Sequence, residues 1–181
     1  MINILRLLTL HFPLSIDKKI KILLEEDLSL KPEDLAIYIY WTQQKIVADF
    51  GEEGNRELLL ALSYIQRIYT QIEIYYSATI GQNLKIIHGA GTVIGARVVI
   101  GDDVTIYQNV TIGDRGDGDN GRPAIEDNVK IFAGAKVLGD ITVGENSVIG
   151  ANTVLLTSCD KNSLMVGIPA IDKSKRDGRD V

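Results

Sequence analysis

Aliphatic residues return at every sixth position from residue 94 to residue 156, and each is usually followed by a glycine or another small or polar residue. These positions are Ile94, Ile100, Ile106, Ile112, Ile125, Ile131, Val137, Val143, Ile149 and Leu155. A helix repeats near 3.6 residues and a strand near 2, so neither alone produces a period of six. A coil with three short flat sides does, because each hexad forms one side and points its aliphatic residue inward. The pattern therefore predicts a mainly β protein whose stacked coils bury one continuous column of side chains.

Between the hexads the chain carries the residues that tight corners require. A second series of aliphatic or small residues falls four positions after most members of the first, namely Val98, Val104, Val110, Val129, Ala135, Ile141, Ser147 and Thr153. Dipeptides such as Gly101-Asp102, Asp127-Asn128 and Glu145-Asn146 lie where a coil must turn. Glycine, asparagine and aspartate accept a positive φ or bond locally, so they suit such corners.

The six-residue count is broken at two places. The step from Ile86 to Ile94 is eight residues, and the extra ones surround His88. The step from Ile112 to Ile125 is thirteen residues, and the excess is the segment 114–122. Insertions in a regular solenoid project as loops from one face, which is often the binding face. Both interruptions are therefore candidate sites on their position alone.

Residues 1–72 lack the hexad pattern and are predicted to be helical. Pro32-Glu33-Asp34 is a helix-start signal, with proline in the first turn and acids facing the positive end of the helix dipole. Residues 57–72 place their apolar side chains on one face at helical spacing. We expect an α-helical N-terminal region over 1–72, a β-helix domain over 73–172 and a mobile charged tail over 173–181.

Composition narrows the classes of partner. The net charge of −5 leaves no basic stripe that could neutralise phosphates, so we expect no nucleic acid partner. A single cysteine, Cys159, excludes an internal disulfide framework and favours a reducing, cytoplasmic location. The apolar stretch 1–13 is shorter than the roughly 20 residues of a membrane span, so we expect no integral membrane association. We interpret it as an amphipathic helix.

His88 is the strongest candidate for chemistry. Imidazole is the usual general base near neutral pH, and His88 lies at a break in the repeat, followed by the small residues Gly89-Ala90-Gly91, which admit a substrate close to the ring. The other histidine, His11, lies in an apolar predicted helix and is expected to be structural. Cys159 lies past the last hexad without a basic partner in sequence, so a nucleophilic role is disfavoured. Two histidines cannot supply a three-histidine zinc site, and we expect no metal.

Residues 70–170 resemble the serine acetyltransferase family and its relatives in bacterial polysaccharide gene clusters. The resemblance is carried by Glu73-Ile74-x-x-Ser77-Ala78-x-Ile80-Gly81, Ile86-Ile87-His88, Val104-x-Ile106-x-Gln108-Asn109-Val110-Thr111-Ile112-Gly113, Gly134-Ala135-Lys136-Val137-Leu138-Gly139 and Val166-Gly167-Ile168-Pro169-Ala170. It implies a left-handed parallel β-helix, an exception to the right-handed crossover preference. It also implies an acetyl-CoA-dependent O-acetyltransferase.

The resemblance implies roles for individual residues. The residue matching His88 deprotonates an acceptor hydroxyl, which attacks the thioester directly, and the acid matching Glu73 holds the imidazole. The family usually has aspartate there, so glutamate keeps the charge and adds a methylene. Acetyl-CoA is expected along the later coils at Ala133, Gly134 and Ala151, with Lys136 as a candidate phosphate contact. The family places each CoA cleft between neighbouring subunits, so we expect a homotrimer.

The acceptor is where the chain departs from the family pattern. Serine acetyltransferases carry a histidine followed by proline after the loop, and this chain has Arg122-Pro123. The loop 114–122 carries three aspartates and two arginines, Arg115 and Arg122, which we assign to acceptor binding. Carboxylates and guanidinium groups both bond sugar hydroxyls, so the leading hypothesis is a saccharide or cell-surface-glycan precursor. The alternatives are L-serine, with Arg122 binding its carboxylate, and a non-catalytic β-helix scaffold.

Overall fold

The computed structural model describes residues 31–174, with the exception of Asp117 and Asp119. Two helices, α1 (Pro32–Phe50) and α2 (Arg56–Thr70), precede fifteen short strands in this part of the chain. The predictions for residues 1–30, including His11, and for most of the charged tail fall outside the described residues. None of the described helices has the length and apolar character needed to cross a membrane.

The strands form three parallel sheets that are the three sides of a prism. The first sheet contains β1 (Glu73–Ile74), β4 (Val93–Ile94), β7 (Thr111–Gly113), β10 (Lys136–Leu138) and β13 (Val154–Leu155). The second contains β2 (Thr79–Ile80), β5 (Val99–Ile100), β8 (Ala124–Ile125) and β11 (Thr142–Val143). The third contains β3 (Lys85–Ile87), β6 (Thr105–Tyr107), β9 (Lys130–Ile131), β12 (Val148–Ile149), β14 (Leu164–Val166) and the antiparallel β15 (Ile171–Asp172). The prediction of a mainly β, parallel β-helix of hexapeptide repeats with a helical N-terminal region is confirmed.

The hexad aliphatic residues form the interior column. Ile94, Ile106, Ile112, Ile131 and Ile149 are each completely buried, and residues that pair between coils share the same inward direction. Burial of one such side chain contributes on the order of 1.5–3 kcal/mol. The column therefore supplies the main driving force for stacking one coil on the next.

Three edges join the sheets, and their corner residues adopt left-handed backbone conformations. The His88 edge joins the third sheet to the first, the loop edge joins the first to the second, and the remaining edge joins the second to the third. Along the remaining edge, five residues with φ between 57° and 61° stack on one another, namely Asn83, Asp103, Asn128, Asn146 and Asn162. Asparagine and aspartate occupy them because their short polar side chains tolerate this region.

The two helices close the N-terminal end of the prism. Ala36 and Tyr40 of α1 join the interior column, and the Tyr40 hydroxyl donates to the Ala78 carbonyl at 2.9 Å. Gln66 of α2 is fully buried; its Nε2 donates to the Ala36 carbonyl and its Oε1 accepts from the Ile74 amide, both at 2.8 Å. The helix start predicted at Pro32 is confirmed. The described residues 32–174 belong to one compact unit, so the helices pack as part of the same body as the coils.

Strand β9 offers a matched test of the inward column. Ile131 is fully buried and its neighbour Lys130 is exposed. We expect Ile131→Ala to lower the free energy of unfolding by about 2–5 kcal/mol, because it leaves a cavity between stacked coils. Lys130→Ala should change it by less than about 0.5 kcal/mol. Denaturant unfolding of both variants measures this difference, and equal effects would contradict the assigned inward and outward faces.

Candidate active site

His88 lies in a two-residue insertion at the His88 edge. From Ile86 to Val93 there are seven positions, whereas the residues paired with them one coil later, Ile106 and Thr111, are five apart. The Asn109 amide donates to the Ala90 carbonyl at 3.0 Å, which aligns Ala90 with the next corner and leaves His88 and Gly89 as the extra residues. His88 has a φ of 53° and an exposed side chain. The repeat interruption predicted around His88 is therefore an outward corner that presents an imidazole.

Gly89 ties this corner to the body of the protein. A Cβ at this position would lie 2.5 Å from Cδ1 of Ile72 and 2.6 Å from Cγ2 of Ile86, so a larger residue would have to displace these side chains. The Gly89 amide donates to Oε1 of Glu33, in the first turn of α1, at 3.0 Å. On its inner side the insertion packs against Ile72 and Ile86, and its Gly89 amide is hydrogen-bonded by Glu33 of α1.

The residues assigned to acetyl-CoA follow His88 along the same edge in later coils. The Gly134 amide donates to Gln108 and the Asn152 amide donates to Ala133, both at 2.9 Å, so Ala133, Gly134 and Ala151 occupy successive corners. Gly134 has a φ of 77°, and a Cβ there would lie 2.1 Å from Oδ1 of Asn152. The presence of glycine at position 134 is therefore explained by the close stacking of successive corners, without any role in binding acetyl-CoA. Ala133 and Gly134 are partly exposed and Ala151 is exposed, and the corner Gln108-Asn109 lies between them and His88.

Lys136, the first residue of β10, is bonded within the solenoid. Its Nζ donates to the Asn109 carbonyl at 2.5 Å and to Oγ1 of Thr111 at 3.1 Å. Its ammonium group therefore bridges two coils next to the His88 edge. The predicted phosphate contact would require it to exchange these partners.

Glu73 begins β1 at the same edge as His88 but bonds elsewhere. Its amide donates to the Thr92 carbonyl at 2.9 Å, and its carboxylate lies 3.6 Å from Nη1 of Arg67. Within the described residues, no hydrogen bond joins Glu73 to His88. The structure brings the predicted acid and base to one edge, and their direct pairing stays a prediction.

The loop 114–122 projects from the loop edge, away from His88. Nη2 of Arg122 lies 2.9 Å from Oδ2 of Asp114, and Nη1 donates to the Gly121 carbonyl at 2.8 Å. The Arg122 side chain is only 15% exposed, so its guanidinium closes the two ends of the loop. The stem of Arg115 lies over Gly139 in the next coil. Both predicted acceptor residues are on the loop edge, and neither meets His88 within one chain.

Two further features bear on the chemistry. The described part of the chain has no group of three histidine, cysteine, aspartate or glutamate side chains that could hold a metal ion. Burial raises the pKa of the Cys159 thiol, which disfavours a thiolate.

Two residues with no local signal in the sequence for such a role contact this site: Glu33 bonds the Gly89 amide and Arg67 lies beside the Glu73 carboxylate. Glu33 contributes to the His88 corner across 56 positions, and its only sequence signal is its place in a helix start. An acid there is explained by the helix dipole alone, so nothing in the local pattern pointed to Gly89.

Comparison with known proteins defines the class and then the family. The model described as bacterial transferase hexapeptide, six repeats, matches residues 122–157, which makes the prism a hexapeptide-repeat transferase. The chain is 51% identical over 144 residues to a serine acetyltransferase of Staphylococcus xylosus, covering 79% of this chain and 66% of that protein.

Solved structures agree. Serine acetyltransferase from Brucella abortus in complex with coenzyme A has a TM-score of 0.74 at 28% identity, covering 85% of this chain and 64% of that one. Soybean serine acetyltransferase complexed with serine has a TM-score of 0.73 at 30% identity, covering 84% and 65%. The chain belongs to the serine acetyltransferase family. It spans about two thirds of the length of these three relatives.

The hypothesis of a saccharide or cell-surface-glycan acceptor, and with it a role in polysaccharide biosynthesis, is wrong. The relative from Staphylococcus xylosus and the two solved structures above are serine acetyltransferases, and the soybean enzyme is complexed with serine. The hypothesis assigned the mixed charges of the loop to sugar hydroxyls. In the structure Asp114 and Arg122 bond each other, so the charges of these two residues are explained by closure of the loop.

Loop closure by this ion pair is testable by proteolysis. Asp114→Asn should speed tryptic cleavage after Arg115 by about two- to fivefold, because the loss of this partly buried ion pair removes up to about 1 kcal/mol of stabilisation from the closed loop. Arg122 precedes a proline, which blocks trypsin, so the cleavage after Arg115 reports on the loop cleanly. Glu145→Gln, at an exposed acid on the remaining edge, is the control. Equal cleavage rates for all three proteins would show that the ion pair does not close the loop.

Proposed function

We propose that the chain is an acetyl-CoA-dependent serine O-acetyltransferase that forms O-acetyl-L-serine. The observation that carries the proposal is the exposed imidazole of His88 at the start of an edge continued by the small residues Ala133, Gly134 and Ala151. In the proposal, the extended acetyl-CoA lies along this edge with its thioester at His88. Family membership supports serine as the acceptor, and the Brucella abortus enzyme in the family has been solved in complex with coenzyme A.

The reaction follows from the chemistry of the two groups. His88 accepts the proton of the serine hydroxyl, and the oxygen attacks the carbonyl carbon of the thioester. The carbon–sulfur bond then breaks, and the departing sulfur takes the proton from the imidazolium. The acetyl group moves in one transfer, the base is regenerated, and free CoA is released.

Glu73 is the proposed partner of the imidazolium. A carboxylate on the far ring nitrogen fixes the tautomer and stabilises the charged ring. Glu73 now lies 3.6 Å from Arg67, whose side chain is 52% exposed. Exposed ion pairs of this kind contribute about 0–1 kcal/mol, so exchange from Arg67 to His88 costs little. Lys136 beside the same edge is the candidate contact for a CoA phosphate.

Serine must be held by its ammonium and carboxylate groups, and Arg122 is our candidate for the carboxylate. A guanidinium can bind a carboxylate through two parallel hydrogen bonds, and Arg115 lies on the same loop. Arg122 and His88 occupy different edges of one prism, separated by a side of about six residues, or roughly 20 Å. A site that contains both therefore needs two copies of the chain, which is our argument for a homotrimer with clefts between neighbours. Because acetyl-CoA is the donor, the proposal implies a cytoplasmic location.

Release of free CoA thiol in the presence of acetyl-CoA and L-serine tests the proposed activity. We expect turnover with L-serine and formation of O-acetyl-L-serine by mass spectrometry. His88→Ala should lower kcat by about 10²–10⁴, the usual contribution of a positioned general base. Glu73→Gln should lower it less, because the side chain keeps its size and loses only its charge.

The same assay contains the outcomes that would refute the proposal. If the wild-type chain binds acetyl-CoA but does not acetylate L-serine, the acceptor is wrong. If His88→Ala retains near wild-type turnover, the mechanism is wrong even if serine is the acceptor. Acetyl-CoA binding by each variant is the control for loss of fold.

A mixing experiment tests the composite site. If each site takes His88 from one copy and Arg122 from its neighbour, His88→Ala and Arg122→Ala proteins are each nearly inactive. Trimers reassembled from a mixture of the two then contain intact sites and should regain activity well above either parent. Light scattering reports the assembly state of every sample. A mixture of verified trimers with no more activity than the two parents would contradict a shared site, and an active 19.9 kDa monomer would contradict the trimer.

A further inference from the structure

We infer that Glu33 is a positioning residue for His88. Its carboxylate holds the inserted His88–Gly89 corner through the Gly89 amide, and thereby sets the direction in which the imidazole leaves the prism. The inference rests on the proposed function, since it concerns the base of that reaction.

The bond from Gly89 to Glu33 fills a gap that the repeat creates. At the other corners, backbone amides donate to carbonyls of the coil below, as Asn109 does to Ala90 and Gly134 does to Gln108. The inserted residues have no equivalents in those coils, so the buried Gly89 amide needs another acceptor. Oε1 of Glu33 supplies it at 3.0 Å. Leaving a buried amide unpaired costs about 1–3 kcal/mol, and a carboxylate is a strong acceptor.

The acceptor is held in place by the helix that carries it. Glu33 is half-buried in the first turn of α1. Helix α1 is anchored by the buried Ala36, by the bond from Tyr40 to Ala78, and by the bond from Gln66 to Ala36. The Glu33 carboxylate therefore belongs to a well-anchored helix that covers the end of the prism, and its position is fixed relative to the His88–Gly89 corner.

Holding the Gly89 amide constrains His88 directly. The His88 carbonyl and the Gly89 amide belong to one planar peptide unit, so fixing the amide fixes ψ of His88. His88 also has a φ of 53°, a left-handed conformation that costs a non-glycine residue about 1–2 kcal/mol. The imidazole is exposed and forms no hydrogen bond to another described residue. Its direction in a single chain thus depends on the backbone of the corner.

Three variants separate geometry from charge. Glu33→Ala removes the acceptor, Glu33→Gln retains a carbonyl oxygen at the same position, and Asp34→Ala removes an acid from the same helical turn at an exposed site. We expect Glu33→Ala to lower kcat for L-serine by about 10–100-fold, the range for a slightly misplaced catalytic group. The KM for acetyl-CoA should change less than about twofold in every variant, because the thioester path lies on other coils. Glu33→Gln should retain at least about a third of wild-type kcat, and Asp34→Ala should match wild type.

Hydrogen exchange at the Gly89 amide gives a readout that does not depend on activity. We expect exchange in Glu33→Ala to be at least about tenfold faster than in wild type, and near wild type in Glu33→Gln and Asp34→Ala. Unchanged exchange in Glu33→Ala would show that Glu33 does not hold the Gly89 amide. Faster exchange with unchanged kcat would refute its role in positioning His88, as would a loss in Glu33→Gln equal to that in Glu33→Ala. If the wild-type chain does not acetylate serine, the proposed function is wrong. Hydrogen exchange at the Gly89 amide then still tests whether Glu33 holds the corner.

Discussion

Coil-on-coil stacking of the inward aliphatic column is the constraint on which the rest of this protein depends. Paired positions such as Ile86, Ile106 and Ile131 must lie directly above one another, at the spacing of about 4.8 Å between hydrogen-bonded strands. A residue added inside a side would shift every later side chain out of the column. Added residues are therefore confined to the corners, and the His88–Gly89 insertion and the 114–122 loop are both found there.

This confinement determines how a site can be built. Along the His88 edge, the insertion in the first coil is followed by the corner Gln108-Asn109 and then by the small residues Ala133, Gly134 and Ala151, so the exposed His88 side chain stands at one end of this edge. The loop is on another edge, and its own ion pair between Asp114 and Arg122 closes it. A rigid prism cannot bend one edge toward another, so groups on both edges meet only when copies of the chain pack side by side.

The open end of the prism creates a second demand, which the helices meet. A first coil without a neighbour would expose its aliphatic column to water, and α1 covers it with Ala36 and Tyr40. The buried amide of Gln66 bonds both α1 and β1, so the helices are held in a specific place. The packing of α1 on the first coil therefore has two consequences. It covers the end of the aliphatic column, and it brings Glu33 to the Gly89 amide of the His88 corner.

The features that could be predicted from the sequence are the repeat itself and the positions where it begins or is interrupted. The period of six specified the prism, the helix start at Pro32 was readable from its residue types, and the two interruptions marked both corners that project. These features were readable because each depends on neighbours within a few residues along the chain. The charged residues of the 114–122 loop led to a wrong prediction of the acceptor, because the sequence does not show that Asp114 and Arg122 bond each other.

The contacts between the candidate site and residues distant in sequence are visible only in the folded structure. Glu33 and Gly89 are 56 positions apart, and their bond exists because a helix closes the same coil that carries the insertion. The pairing of Glu73 with Arg67, and the separation of His88 from Arg122 on different edges, likewise depend on how the elements pack. Periodicity specifies which face of the chain is buried, whereas contacts between faces are set by three-dimensional packing that has no local signature in the sequence.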